Sequence, residues 1–180
     1  RMPFCYGGGI TTVEQARKII SLGAEKVALS YSALTNIGLC TQIGAVIGNQ
    51  SVVVVLDLKK KKLFGGYDIY THNGTKKSKW KLDEIIAKLE EIEVGEIVIN
   101  SIDNDGTMLG YDLGLVDNIR EKCSMPITVL GGAGSLDDVK KLINKFKIIG
   151  AAAGSLFVFK GKYRAVLISY PNRQERKPLY

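Results

Sequence analysis

Ile97-Val-Ile-Asn-Ser-Ile-Asp103-Asn-Asp105-Gly-Thr107 is the stretch on which the fold of this chain turns. Its apolar opening, Ile97-Val98-Ile99, suits a strand covered on both faces. Two carboxylates and a glycine stand at the strand's exit. Working outward, strand and helix patterns alternate on both sides, which predicts a parallel sheet with helices outside it. In a (β/α)8-type barrel, the carboxyl ends of the strands are where chemistry sits.

Upstream, residues 1–6 read as a short strand entered through Pro3, followed by Gly7-Gly8-Gly9. Thr11 with Glu14 three residues on predicts a capping box. Val13, Ala16, Ile19 and Ile20 recur at helical spacing, and Gly23 stops that helix. Residues 26–30 predict a second strand, then a loop and a helix over 39–47. Val52-Val-Val-Val-Leu56 is a β-branched run ending in Asp57. Residues 59–75 predict a polar loop with a hairpin around Gly65-Gly66, and 82–92 a helix ending at Gly95. Downstream, a helix over 113–123 leads to a strand over 126–130. Gly131-Gly-Ala-Gly134 turns into a helix over 136–145, and 148–153 predicts the last of six strands. Gly154-Ser155 opens a short helix, 163–169 predicts a final one, and 171–180 reads as a loose polar tail.

The chain also echoes itself. Laying Gly8 on Gly132 puts Glu14 on Asp138, Ile19 on Ile143 and Ser30 on Gly154. Both segments read strand, glycine turn, amphipathic helix, strand, small polar turn, which suggests two related halves. Glycine-rich strand-to-helix turns aim backbone N–H groups at anions. Two facing one mouth would suit a substrate with a phosphate at each end; equally, the glycines could serve only tight turns.

One domain is the simplest organisation for 180 residues, and the composition is that of a folded protein. No apolar run is long enough to span a bilayer. Cys5, Cys40 and Cys123 are odd in number and far apart, which predicts reduced thiols in a cytoplasmic protein. The net charge of +7 concentrates in Lys59–Lys62 and in Lys76, Lys77, Lys79 and Lys81. These lysines lack aromatics interleaved at a stacking rhythm, which argues against nucleic acid. They fit either a solvated loop or a basic rim that draws in a phosphorylated substrate or an acidic partner.

Asp57, Asp103 and Asp105 all fall at carboxyl ends of predicted strands. Carboxylates converging there can divide acid and base roles. Asp103 is better explained as a turn residue satisfying backbone N–H groups, and Asp105 as functional. Asp-Asn-Asp-Gly resembles the start of a calcium loop, but position 12 would be Gly114 rather than Glu. His72, the only histidine, has no ligating neighbour in sequence and predicts no metal or catalytic role. Trp80, with Tyr67 and Tyr70, predicts an apolar patch under a long loop.

Gly7-Gly-Gly-Ile10, Gly23-Ala-Glu-Lys-Val27, Val53-Val-Val-Leu-Asp57, the run from Gly95 to Thr107, Gly110-Tyr-Asp112, Gly131-Gly-Ala-Gly134 and Gly154-Ser-Leu-Phe157 together resemble the cyclase subunit of imidazole glycerol phosphate synthase, the HisF family. The resemblance implies a (β/α)8 TIM-barrel type fold of two similar halves. It implies a lyase-type reaction of histidine biosynthesis. Ammonia from a glutaminase (HisH-like) subunit is used on a bis-phosphorylated aminoimidazole carboxamide nucleotide, giving imidazole glycerol phosphate. By the same likeness Asp105 is one of two catalytic aspartates and Asp57 a supporting one. One phosphate would lie on Gly106, Gly132, Gly154 and Ser155, the other near Gly9, Ser30 and Tyr31. Lys26 and Glu96 match a charged ammonia gate at the opposite face, where the glutaminase docks. No cofactor, metal, nucleic acid or membrane is implied.

Against the family pattern the chain begins inside what would be strand 3, so it carries strands 3–8 and lacks the first two βα units with the other catalytic aspartate. Ser30-Tyr31 stands where the family has Asn-Thr, and Lys76-Lys77-Ser78-Lys79 replaces a Thr-Gly. These two changes, with Tyr170-Pro-Asn172, are more similar to a HisF-like branch of surface-polysaccharide clusters. There the barrel feeds ammonia to a sugar amidotransferase.

Overall fold

The computed structural model describes residues 2–63 and 65–179; Arg1, Phe64 and Tyr180, which belong to the predicted first strand, polar loop and tail, lie outside them. Six strands run parallel: β1 Cys5–Gly7, β2 Lys26–Leu29, β3 Val52–Lys60, β6 Glu96–Ser101, β7 Ile127–Leu130 and β8 Gly150–Ala151. They pair in chain order β1-β2-β3-β6-β7-β8, and no pairing joins β8 back to β1 among the described residues. Between β3 and β6 the chain makes an antiparallel excursion through β4 Tyr67–Thr71 and β5 Lys76–Lys77. This is a parallel strand-and-helix arrangement of the α/β, TIM-barrel type.

Alternation along the strands divides the two sheet faces. Val54, Leu56, Leu58, Ile97, Ile99, Ile127 and Val129 are buried under the helices. The helices are α1 Val13–Ser21, α2 Tyr31–Thr35, α3 Gly38–Ile47, α4 Leu82–Glu91, α5 Leu113–Arg120 and α6 Leu136–Phe146. They bring Ala16, Ile43, Ile85, Ile86, Leu89, Leu115, Ile119 and Leu142 into the same core. The other sheet face carries Lys26 and Ala28 on β2, Val55 and Asp57 on β3, and Glu96, Val98 and Asn100 on β6, all only half-buried or partly open.

Several expectations need correction. The capping box of α1 uses Thr12 and Gln15, one residue on from Thr11 and Glu14. The Gln15 amide oxygen accepts from the N–H groups of both Thr11 and Thr12, at 2.8 and 3.2 Å, so the two consecutive donors are served together. The polar loop at 59–75 is largely strand. Lys59 and Lys60 extend β3, and the Lys61 N–H to Gly66 C=O bond closes the hairpin at 2.9 Å. Residues 163–169 are not helical. Strands β9 Phe159–Lys160 and β10 Ala165–Val166 pair antiparallel, after α7 Ser155–Val158. Gly161 and Arg164 adopt left-handed φ of 74° and 49°, which turns the chain back. Tyr163, Val166 and Ile168 remain exposed, so their helical spacing had no face to bury. The last parallel strand contracts to two residues. Residues 172–179, expected loose, form α8 Arg173–Arg176, capped by Asn172 and Glu175, and a 3-10 turn that buries Leu179.

The echoed positions adopt matching conformations. Gly8 and Gly132 have φ of 115° and 105°. Ser30 and Gly154 both cap short helices, at φ/ψ of −124°/−85° and −108°/−71°. Asp138 is the third residue of α6 and pairs with its cap Ser135, so its structural counterpart in α1 is Gln15, not Glu14.

Candidate functional site

The carboxyl ends of the parallel strands gather most of the residues singled out in the sequence. The register sets Asp57 of β3 opposite Asn100 of β6, and the Asn100 Nδ2 donates to Asp57 Oδ1 at 2.8 Å. A carboxylate oxygen can only accept, so this bond fixes which way the amide points. It leaves Asn100 Oδ1 buried with no hydrogen-bond partner, a cost that a structural asparagine would ordinarily avoid.

Asp105 lies just beyond β6. Its N–H donates to the Ser101 carbonyl at 2.9 Å, which shapes the turn, while the residue itself is exposed. It lines a small cavity with Gly106, Gly132, Gly154 and Ser155, so four positions read as one phosphate site share one wall with a carboxylate. Asp103 is not part of this wall. Its Oδ2 accepts the Lys60 N–H at 2.9 Å, tying the turn after β6 to the end of β3.

A wider cavity of about 450 Å³ opens at the ends of β1, β2 and β3. Gly9, Ser30, Tyr31 and Asp57 line it together. His72 and Asn73 line it too, carried there by the turn between β4 and β5. The His72 and Tyr31 rings meet edge-on, with centroids 4.7 Å apart and planes at 71°. Nothing near His72 in sequence signals this; the β3–β4 hairpin brings it back over the rim.

At the opposite end of the same sheet face, Lys26 Nζ and Glu96 Oε2 form an ion pair at 2.6 Å. The second carboxylate oxygen accepts from the Thr128 hydroxyl, also at 2.6 Å. Thr128 escaped sequence reasoning, although it is the one polar residue in β7 and alternation places it on this face. Between the two ends the face carries Val55 and Val98, paired in register.

Three features of the sequence do not enter the site. Burial raises the thiol pKa of all three cysteines, Cys40 to about 11, which disfavours a thiolate nucleophile. The lysine-rich stretch faces elsewhere: Lys61 and Lys77 pair with Asp68, Lys81 pairs with Glu84, and among the described residues no lysine lines either cavity. Trp80 packs against the core and its indole N–H donates to the Leu34 carbonyl at 2.8 Å. Among the described residues no cluster of three metal-ligating side chains exists, and no helix is long and apolar enough to cross a membrane.

A family model described as "Histidine biosynthesis protein" matches residues 1–164. The chain is 52% identical over 177 residues to a protein of Vibrio vulnificus named "Putative imidazole glycerol phosphate synthase subunit hisF3", covering 98% of this chain and 68% of that one. It is 49% identical to "Putative imidazole glycerol phosphate synthase subunit HisF" of Leptospira borgpetersenii, over all of this chain and 71% of that one. An "Imidazole glycerol phosphate synthase subunit HisF" of Aliivibrio fischeri is 38% identical over 87% of this chain and 62% of its own length.

Proposed function

The chain belongs to the histidine biosynthesis family and is HisF-like, and from that premise we propose that it is the cyclase component of an imidazole glycerol phosphate synthase. In this reading the six parallel strands are strands 3–8 of a (β/α)8 barrel, and residues 1–180 belong to one domain. The substrate is a bis-phosphorylated aminoimidazole carboxamide nucleotide, and ammonia is the second reactant.

The observation that carries the proposal is the pair of glycine-turn cavities at the same strand ends, one sharing a wall with Asp57 and the other with Asp105. A substrate with a phosphate at each end would lay its reacting centre between them. Gly106, Gly132, Gly154 and Ser155 hold one phosphate; Gly9, Ser30 and Tyr31 face the other. Asp105 transfers protons as general acid or base, with its partner aspartate supplied by the preceding part of the barrel. Asp57 orients Asn100, whose free carbonyl oxygen can accept from the incoming ammonia or from the substrate.

The register supports a route for ammonia. A glutaminase subunit docks at the amino ends of the strands, where Lys26 and Glu96 form the gate. From Glu96 to Asn100 is four residues along β6, about 13 Å of strand. Val98 and its neighbour Val55 line that distance with apolar surface, which lets neutral ammonia pass and disfavours ammonium. Full-length protein given ammonia and the nucleotide forms imidazole glycerol phosphate; absence of turnover would overturn the assignment.

A second reading is favoured by one observation. The relatives at 48–52% identity all carry the word "Putative" in their names and include proteins designated hisF2 and hisF3, above the 35–38% of those named imidazole glycerol phosphate synthase subunit HisF without it. Tyr31 at the rim of the wide cavity fits such a divergent copy. There the barrel passes ammonia to a sugar amidotransferase. That role predicts glutamine-dependent amination of a sugar acceptor by the complex, with no cyclase turnover.

A further inference from the structure

Among the described residues that line the wide cavity, His72 is the one basic side chain. Two contacts of its neighbour place the ring. The buried Thr71 hydroxyl lies 3.2 Å from the Lys76 carbonyl and 3.0 Å from His72 Nδ1, so Nδ1 is engaged within the hairpin itself. Among the described residues no hydrogen bond engages Nε2, which is the ring nitrogen left to meet a ligand. The ring is further held by its edge-on contact with Tyr31 and by a left-handed backbone, φ 52°, at the hairpin tip.

We propose that His72 is a ligand-binding residue of the wide cavity, its protonated Nε2 donating to the phosphoryl end of the substrate. The proposal rests on the reading above that this cavity receives a phosphate. The packed elements carry further titratable or charged groups: Tyr31 of α2; Asp57, Lys59 and Lys60 of β3; Tyr67, Asp68 and Tyr70 of β4; and Lys76 and Lys77 of β5, of which Lys59 sits over the Tyr70 ring, Lys77 pairs with Asp68 and Tyr67 donates to Asp112. Asp57 is already engaged by Asn100, and among the described residues that line the cavity none is lysine or arginine, which leaves His72 as the basic side chain on this wall. A dianionic phosphate beside Nε2 favours the imidazolium, so binding takes up a proton and tightens as pH falls.

The test uses full-length protein and glycerol phosphate, titrated at about pH 6 and about pH 8, in the native protein and in His72→Asn, since asparagine tolerates a left-handed backbone. The ligand's own ionisation acts equally on both proteins, so the ratio of their pH effects isolates the imidazole. The native protein gains about fivefold or more in affinity at the lower pH relative to the variant. The imidazole NMR signals of His72, assigned by their loss in the His72→Asn variant, shift on binding. An equal pH effect in both proteins, or unmoved imidazole signals while the Gly9 and Ser30 amides shift, overturns the role of His72 and spares the cavity. No ligand-induced shift at Gly9, Ser30 or His72 overturns both.

Discussion

The glycine turns after β1 and β7 are the same device in two settings. Gly8 and Gly132 share a left-handed backbone, yet a methyl group at Gly8 would touch nothing, while one at Gly132 would overlap the Gly110 carbonyl oxygen. The turn after β7 is pressed against the loop that carries Asp105, and the Gly110 N–H donates to the Gly132 carbonyl at 2.7 Å. The turn after β1 sits at the sheet's edge and opens on the wide cavity. Matching conformation therefore does not mean matching constraint. On one side glycine is required by backbone angle alone; on the other it is required again by packing. The narrow side is packed against the loop that carries Asp105, and the wide side is left open.

The largest effect expected from this contrast is chemical. Asp105→Asn in the full-length protein lowers kcat by about 10²–10⁴-fold and leaves the thermal midpoint nearly unchanged, as steady-state kinetics and calorimetry can check. A variant retaining near-native kcat would remove Asp105 from the chemistry. Next comes the packing difference itself. Gly132→Ala destabilises by about 2–3 kcal/mol, adding overlap to backbone strain, whereas Gly8→Ala costs about 1 kcal/mol from strain alone. Equal losses in urea titrations would break the comparison.

Smaller again is Gly154→Ala. Gly154 has an ordinary φ of −108° and open space where a side chain would go, so stability changes by less than about 0.5 kcal/mol. If a phosphate lies against it, KM still rises by about tenfold, or about 1.4 kcal/mol. An unchanged KM would make that glycine a simple turn residue. The smallest effect is at the far end: Thr128→Val removes the hydroxyl that holds Glu96, costing about 1 kcal/mol of stability with little change in the ammonia-driven rate.

Much of this was legible in the chain. The β-branched run Val52-Val-Val-Val-Leu56 and the run Ile97-Val98-Ile99 announce parallel strands, although burial alternates along them, with Val55 and Val98 on the less buried face. Strand ends then locate Asp57 and Asp105. Where local patterns competed, the sequence misled. The apolar spacing at 163–169 satisfies a helix, but Gly161 and Arg164 form a hairpin whose apolar residues find no core. Thr11 and Thr12 are equivalent caps on paper, and the placement of Gln15 chooses the second.

What the sequence determined by itself is the order of strands and helices and which residues leave the strands at their carboxyl ends, since both follow from periodicities of two and 3.6 within short windows. The tertiary structure alone decided which polar groups meet. Thr128 reaches Glu96, Asp103 caps the Lys60 N–H, and Thr71 meets the ring of a histidine that the β4–β5 turn swings over the cavity. Those pairings depend on sheet register and on how a hairpin folds back, and neither is encoded within any one window of the chain.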